Sequence, residues 1–353
     1  MAEIYNIFAE DKMEEECGIF GVYDPENIHD ISTLSYLGLL ALQHRGQESA
    51  GICVNKKGKF RIHKAMGLVE NVFSKEKLAK LNGEMAIGHV RYSTTGSSLL
   101  VNAQPLLINC IKGDLALAHN GNLINDKELR LNLESHGSIF HSTLDTEVIA
   151  HLVARSFEDN IVDALIQSLH QLKGAFSLVA MTKDSLIACR DPYGIRPLAL
   201  GKLDKGYVVA SETCAFDMIG AEFIREVEPG ELVVINKDGI TSIKYCSERP
   251  SKFCVFEFIY FARPDSHIGG QNVHLARKEM GRQLAAEVDI EADLVIPIPD
   301  SGTAAALGYA EKSGIAFSKG ILRNRYVGRT FIQPTQEIRD LKVRIKLSPI
   351  KEI

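Results

Sequence analysis

Between Cys17 and about residue 235, strand-like stretches are short and numerous, while helix-like stretches come in blocks and not one after every strand. That order predicts a layered α+β domain, because sheets and helices that alternate in blocks bury their apolar faces against each other as layers. Cys17-Gly-Ile-Phe-Gly-Val-Tyr23 reads as a buried strand. Asp30 can cap a helix whose apolar side is Ile31, Leu34 and Leu37. Further strands are expected at 50–54, 85–92, 115–118, 176–181, 207–210 and 231–235, and helices near 126–136, closed by Gly137, and near 145–156 and 162–172.

After about residue 250 the pattern changes. Asp293-Leu-Val-Ile-Pro-Ile-Pro299 is an apolar run of the kind buried on both faces of a parallel sheet, Asp300-Ser301-Gly302 breaks it, and 303–312 reads as an Ala-rich helix. Strand, small-residue turn and helix start together can form an anion site, since free N–H groups and the helix dipole face the turn. Every βα unit needs some turn, so this signal is weak alone. A strand with one crossover also needs neighbours, and only about 40 residues follow in this chain. The 353 residues predict about two domains.

Charge and cysteine usage narrow the setting. Residues 321–353 carry eight Lys/Arg against three acids, whereas the whole chain sums to −5. Such a tract suits a small polyanion such as a sugar phosphate as well as it suits nucleic acid, and no stacking aromatics favour the latter; a solvated face is the plain alternative. Seven cysteines without a Cys-x-x-Cys pair suggest no disulfide framework and point to a reducing cytoplasm. No apolar run reaches the roughly 20 residues of a membrane helix. Residues 1–16 hold six acids against one Lys, unlike a signal or transit peptide.

The acidic leader bears on Cys17. An isolated cysteine is usually a small buried hydrophobe. Cleavage before Cys17 would give it a free α-amino group with a reference pKa of about 7.7 to 8.0, a base for its own thiol. A thiol that attacks an amide needs oxyanion donors and substrate anchors. His119-Asn120-Gly121-Asn122, after the strand at 115–118, offers an amide and glycine backbone on a tight turn, or is simply a hairpin turn. Arg91 could pair with a carboxylate or sit in a surface ion pair. Asp145 could bind an ammonium or cap a helix. No His-Glu-x-x-His, P-loop or Gly-x-Gly-x-x-Gly pattern occurs.

Eight segments then carry a resemblance: 17–23, 42–48 (Leu-Gln-His-Arg-Gly-Gln-Glu), 88–94 (Gly-His-Val-Arg-Tyr-Ser-Thr), 117–123 (Leu-Ala-His-Asn-Gly-Asn-Leu), 190–198, 211–217, 260–266 (Tyr-Phe-Ala-Arg-Pro-Asp-Ser) and 324–334. In order along the chain, they resemble the glutamine phosphoribosylpyrophosphate amidotransferases. The earlier segments are shared more loosely by other amidotransferases with an N-terminal cysteine.

The resemblance implies a propeptide (1–16), an N-terminal-nucleophile glutaminase domain (17–250) built as an αββα four-layer sandwich, and an α/β phosphoribosyltransferase domain of type I (251–353), which reads as truncated. It implies that Cys17 attacks the glutamine amide after removal of the leader, with Asn120 and Gly121 at the oxyanion, Arg91 and Asp145 on the glutamine carboxylate and ammonium, and Arg45 and His89 near the same pocket. Ammonia would displace pyrophosphate from phosphoribosyl pyrophosphate in the first committed step of purine synthesis. Asp300, Ser301 and Gly302 resemble the pyrophosphate-side loop, with Ser301 near Mg²⁺, and 325–334, with Arg325 and Arg329, resembles a loop that closes on the substrate. Homo-oligomers are implied; nucleic acid and membrane are not. The departures are Leu144, where relatives often carry Ser, and the absence of any Asp-Asp pair. Cys254 matches the first of four iron–sulfur ligands, and one thiolate cannot hold such a cluster. Two other readings stay open: a free-standing glutaminase, and a non-enzymatic truncated product.

Overall fold

The computed structural model describes residues 17–92, 99–324 and 343–353. Two compact units divide the chain: the first runs to Val255 and includes His267–Gly269, and the second comprises Phe256–Ser266 and the residues from Gly270 onward.

The first unit contains two antiparallel sheets. One has seven strands in the order β11-β9-β10-β1-β4-β2-β3, from β1 (Gly18–Tyr23), β2 (Ser49–Lys56), β3 (Lys59–Met66), β4 (Met85–Arg91), β9 (Ala199–Leu203), β10 (Gly206–Ala210) and β11 (Glu222–Glu226). The other has six in the order β13-β12-β8-β7-β6-β5, from β5 (Leu106–Cys110), β6 (Gly113–Leu123), β7 (Gly174–Met181), β8 (Leu186–Arg190), β12 (Glu231–Asn236) and β13 (Gly239–Lys244). The helices are α1 (Ile31–Ala41), the short turns α2 (Val69–Val72) and α3 (Lys75–Leu78), α4 (Asp126–Ser135), α5 (Asp145–Arg155), α6 (Ile161–Leu169) and α7 (Cys214–Ile219).

Strand periodicity turns these elements into four layers. Successive side chains point to opposite faces of a strand. On β1, Phe20 and Val22 pack with Leu39 of α1 and Phe216 of α7, whereas Ile19 and Tyr23 pack with Ala116 and Ala118 of β6 and Val179 of β7. On β6 the opposite set, Leu115 and Leu117, joins Val148 of α5 and Leu165 of α6. Three apolar cores therefore alternate with the helix, sheet, sheet and helix layers, the αββα sandwich that the resemblance implies.

Local sequence explains several boundaries. The Asp30 carboxylate accepts the Ser32 N–H at 3.1 Å and starts α1. Asn160 caps α6 by accepting the Asp163 N–H at 2.9 Å. Two expectations need correction. The segment 119–122 is no tight turn: β6 continues through it to Leu123, because β7 pairs with it up to Leu123↔Gly174. Nor does Asp145 cap a helix, since it is the first residue of α5 and follows Leu144.

In the second unit, α8 (Val273–Glu287) starts where Asn272 accepts the Leu275 N–H at 3.1 Å. It packs closely on α9 (Thr303–Ser313): a Cβ on Gly281 would lie 1.9 Å from the Ala305 carbonyl oxygen, and one on Gly308 would lie 1.8 Å from that of Lys278. Ile321–Arg323 and Leu347–Pro349 form a small antiparallel ribbon. The expected strand at 293–299 is reduced to one parallel bridge, Val295↔Phe317. With a single backbone partner the run stays irregular, and Ile296 and Ile298 are exposed.

Candidate active site

Cys17 lies directly before β1 and is 7 % exposed. By alternation it shares a strand face with Ile19, the face turned toward the second sheet. Its Sγ lies 3.4 Å from the Tyr92 carbonyl oxygen. Its own carbonyl accepts a hydrogen bond from Arg45 Nε at 3.1 Å. Arg45 sits in a single 3₁₀ turn, Gln43–Arg45, and its Nη1 is ion-paired at 2.5 Å with Glu212, which also accepts from His44 Nε2 at 2.7 Å. Arg45 and Glu212 are both buried.

β4 brings His89 and Arg91 to the same side. They continue the face of Met85 and Ile87, which belong to the inter-sheet core. Arg91 is 2 % exposed and its Nη1 donates to Glu48 Oε1 at 2.7 Å. Thus the plain alternative does not fit it: the ion pair with Glu48 is buried, not on the surface. His89 is sealed from solvent, and its Nε2–H donates across the gap to the His119 carbonyl at 3.0 Å. Burial pushes the His89 pKa down to about 3, so the ring is neutral, with Nδ1 lacking any partner among the described residues.

The second sheet contributes β6. Asn120 continues the face of Ala116 and Ala118, so it looks into the gap toward the sheet that carries Cys17, His89 and Arg91. It is fully buried, yet among the described residues neither Nδ2 nor Oδ1 has a hydrogen-bond partner. Native structures rarely leave buried amides unsatisfied, so this pair of atoms calls for a partner that the described residues do not supply. Gly121 has φ +146°, and a Cβ there would lie 2.1 Å from the Ala175 carbonyl oxygen, so only glycine fits.

Asp145 lies on the helix side of β6, the face opposite that of Asn120. Its Oδ2 accepts the Leu123 N–H at 3.1 Å and its Oδ1 faces His119 Nδ1 at 3.3 Å. Burial works against its charge, but the neighbouring His119 and the hydrogen bonds from His119, Leu123 and Thr146 hold the carboxyl below the usual carboxylate range.

Reading the sequence alone misses Glu212, Glu48 and Gln104. Gln104 is buried and its Oε1 accepts the His119 N–H at 2.8 Å. The only available signal was polar residues inside apolar surroundings, as in Asn102-Ala-Gln-Pro105.

The chain is similar to known proteins over nearly its whole length. Residues 89–218 match the glutamine amidotransferase domain family. The amidophosphoribosyltransferase of Bacillus subtilis is 49 % identical over 342 residues, which cover 97 % of this chain and 71 % of that protein. The chain belongs to the amidophosphoribosyltransferase family. The amidophosphoribosyltransferase of Mycobacterium tuberculosis is 50 % identical over 96 % of the chain, and the chain spans 65 % of that relative's length. Among solved structures, the B. subtilis glutamine phosphoribosylpyrophosphate amidotransferase complexed with ADP and GMP superposes with a TM-score of 0.88 at 48 % identity, covering 96 % of this chain and 73 % of that one.

The family resemblance also concerns the second unit. Asp300 and Ser301 are exposed, Gly302 precedes the first turn of α9, and Asp300 Oδ2 is ion-paired with Arg323 at 2.7 Å. Arg325 and Arg329 lie outside the described residues, as do residues 1–16. Among the described residues no three His, Cys, Asp or Glu side chains gather as a metal site would require. Cys254 is therefore a lone thiol toward an iron–sulfur cluster, and the residues present do not fit that group. For Mg²⁺, Ser301 and an Asp300 already paired with Arg323 supply too few ligands for an ion held by protein alone. Among the described residues no helix is long and apolar enough to cross a membrane.

Proposed function

We propose that this chain hydrolyses glutamine at Cys17 and that it serves an amidophosphoribosyltransferase reaction: glutamine, phosphoribosyl pyrophosphate and water to phosphoribosylamine, glutamate and pyrophosphate, the entry to purine synthesis in the cytoplasm. The observation that carries the glutaminase half is Asn120. A sealed, unpartnered amide faces the sheet that ends in a thiol, which is what an oxyanion site needs before substrate arrives.

In this reading, removal of residues 1–16 frees the Cys17 α-amino group. That amine takes the thiol proton while sulfur attacks the glutamine amide carbon. The Asn120 Nδ2–H and the Gly121 N–H receive the developing oxyanion. Collapse of the tetrahedral intermediate expels ammonia, which leaves with the proton from the amine. Water then attacks the glutamyl thioester, releasing glutamate and restoring the thiol. Arg45 holds the Cys17 carbonyl and so fixes the nucleophile. Arg91 and Asp145 are assigned to the glutamine carboxylate and ammonium, and ligand binding would draw on groups now paired with Glu48 and His119.

In the second unit, the start of α9 and the Asp300-Ser301-Gly302 loop suit the phosphates of the second substrate, as helix N-termini suit anions. Arg325 and Arg329 are assigned to the same substrate. Mg²⁺ would come mainly ligated by the substrate's phosphates. Assembly into homo-oligomers is proposed on family grounds.

Incubation with a glutamine-analogue diazoketone followed by intact-mass analysis tests the reading. A chain beginning at Cys17 and carrying one adduct is expected. A folded chain whose Cys17 stays unmodified, and which releases no glutamate from glutamine, would overturn the glutaminase half. Pyrophosphate release that requires both substrates tests the transferase half.

A further inference from the structure

We propose that Gln104 and His89 are positioning residues for the oxyanion donors: together they hold both backbone polar groups of His119, and so fix the strand segment that carries Asn120 and Gly121. The inference rests on the glutaminase reading above.

β5 pairs with β6 from Cys110↔Gly113 to Leu106↔Leu117 and goes no further. His119 lies beyond it, with β7 on the other side through His119↔Leu178. The N–H and C=O of one strand residue point to the same side of the strand. His119 would therefore present a bare donor and a bare acceptor inside the protein, at a cost of about 1 to 3 kcal/mol for each buried group left unsatisfied. Gln104 Oε1 accepts the N–H at 2.8 Å, and His89 Nε2–H donates to the carbonyl at 3.0 Å. Two side chains stand in for the missing strand. One comes from the loop that leads into β5 and the other from β4 in the opposite sheet.

Each of these side chains is itself held. Asn102 Nδ2 donates to Thr143 Oγ1 at 2.9 Å and its Oδ1 accepts the Thr143 N–H at 3.1 Å. Lys64 Nζ donates to the carbonyls on both sides of Gln104, those of Ala103 at 2.5 Å and Pro105 at 3.3 Å. A Cβ on Gly51 would lie 2.1 Å from the Gln104 carbonyl oxygen, so β2 and this loop meet backbone to backbone. His89 sits on a strand paired on both edges, opposite Ile19 of β1 and Gly51 of β2. Its neutral form, enforced by burial, is the one that needs no second acceptor at Nδ1.

The reason for such bracing lies one residue on. Among the described residues the Asn120 amide has no partner of its own, so none of them aims the side chain's tip before substrate binds. Its direction comes from the backbone, and the clamp fixes that backbone at the preceding peptide. A misplacement of about 1 Å in a catalytic group can cost about 10²-fold in rate.

The test uses the full chain and matched amide variants. His89→Gln keeps an N–H near the position of Nε2, whereas His89→Asn carries the same group too short to reach the His119 carbonyl. Gln104→Asn likewise withdraws the acceptor from the His119 N–H. Two rates are measured: glutamine hydrolysis, and alkylation of Cys17 by iodoacetamide, in which sulfur displaces iodide and no oxyanion forms. His89→Asn and Gln104→Asn are expected to lower kcat by roughly 10- to 100-fold, with KM for glutamine and the alkylation rate within about threefold of the parent, and His89→Gln to recover most of kcat. Hydrolysis at the parent's kcat in His89→Asn and Gln104→Asn would overturn the clamp and leave the glutaminase reading standing. An equal fall in hydrolysis and alkylation would also overturn it, because the site as a whole would then have collapsed. Should Gln104→Asn not fold, the two His89 variants decide alone. A parent chain that reacts with iodoacetamide but never hydrolyses glutamine would overturn the glutaminase reading, and the clamp with it.

Discussion

Arg45 and Glu212, 167 positions apart in the chain, are both sealed from solvent and joined by an ion pair of 2.5 Å from Nη1 to Oε1. Through Arg45 Nε the pair reaches the Cys17 carbonyl, so a carboxylate after β10 steadies the start of β1. Removing one partner of a buried pair leaves an uncompensated charge, which costs about 3 to 5 kcal/mol. Glu212→Ala is therefore expected to lower unfolding free energy by that amount in urea titrations. Glu212→Gln, which can still accept from Arg45, should lose less. A Glu212→Ala chain as stable as the parent would contradict the pair's structural role.

Gly121 cannot accept a side chain. Its φ of +146° and the Ala175 carbonyl, 2.1 Å from any added Cβ, require either rotation of the peptide or separation of β6 from β7. Gly121→Ala should cost at least about 2 kcal/mol of stability, and glutamine hydrolysis should fall more steeply than stability does, because the altered peptide is the proposed oxyanion donor. Turnover near the parent value in Gly121→Ala would remove that backbone from the site.

The local pieces of the fold were legible because they obey short-range rules. Asp30 marked a helix start through hydrogen bonds from Ser32 and Thr33, and short apolar runs exposed the strands that became β1, β4 and β7. Strands such as β5, β9 and β11 escaped notice: they are five residues long, and β11 carries Glu222, Arg225 and Glu226 at a sheet edge, where little apolar surface is buried. The candidate site was legible as residue types, Cys17, Arg91, Asn120, Gly121 and Asp145, but not as a network. Gln104 and Glu212 bind partners 15 and 167 residues away. No periodicity reports such pairings, because they arise only when the fold brings together segments distant in the chain.

The neutral His89 gives acid sensitivity a definite sign. Its folded pKa is pushed down to about 3, while an unfolded histidine titrates near 6.5. Below about pH 6.5 the unfolded chain takes up a proton that the folded chain refuses, so stability present at neutral pH declines as pH falls toward 3. The decline approaches about 1.4 kcal/mol per pH unit from this group. Urea titrations of the parent and His89→Gln at pH 7 and pH 5 isolate it: the gap between the two proteins should move by up to about 2 kcal/mol in favour of the variant at the lower pH. A gap that stays constant would mean that the folded protein protonates His89.

Asn120 separates function from stability. A fully buried amide with neither polar atom paired destabilises the fold it sits in, whereas most catalytic substitutions are judged against groups that also hold the structure together. Asn120→Ala removes the unpaired amide and leaves a small void, two effects of opposite sign. Its unfolding free energy should therefore lie within about 1 kcal/mol of the parent. Its kcat for glutamine hydrolysis should nevertheless fall by roughly 10² to 10³, the usual loss for one oxyanion donor, with little change in KM. Alkylation of Cys17 by iodoacetamide should be unaffected, since it forms no oxyanion. A large loss of stability would show that Asn120 is a packing residue after all. A kcat close to that of the parent would leave the buried amide without the task that its unpaired state implies.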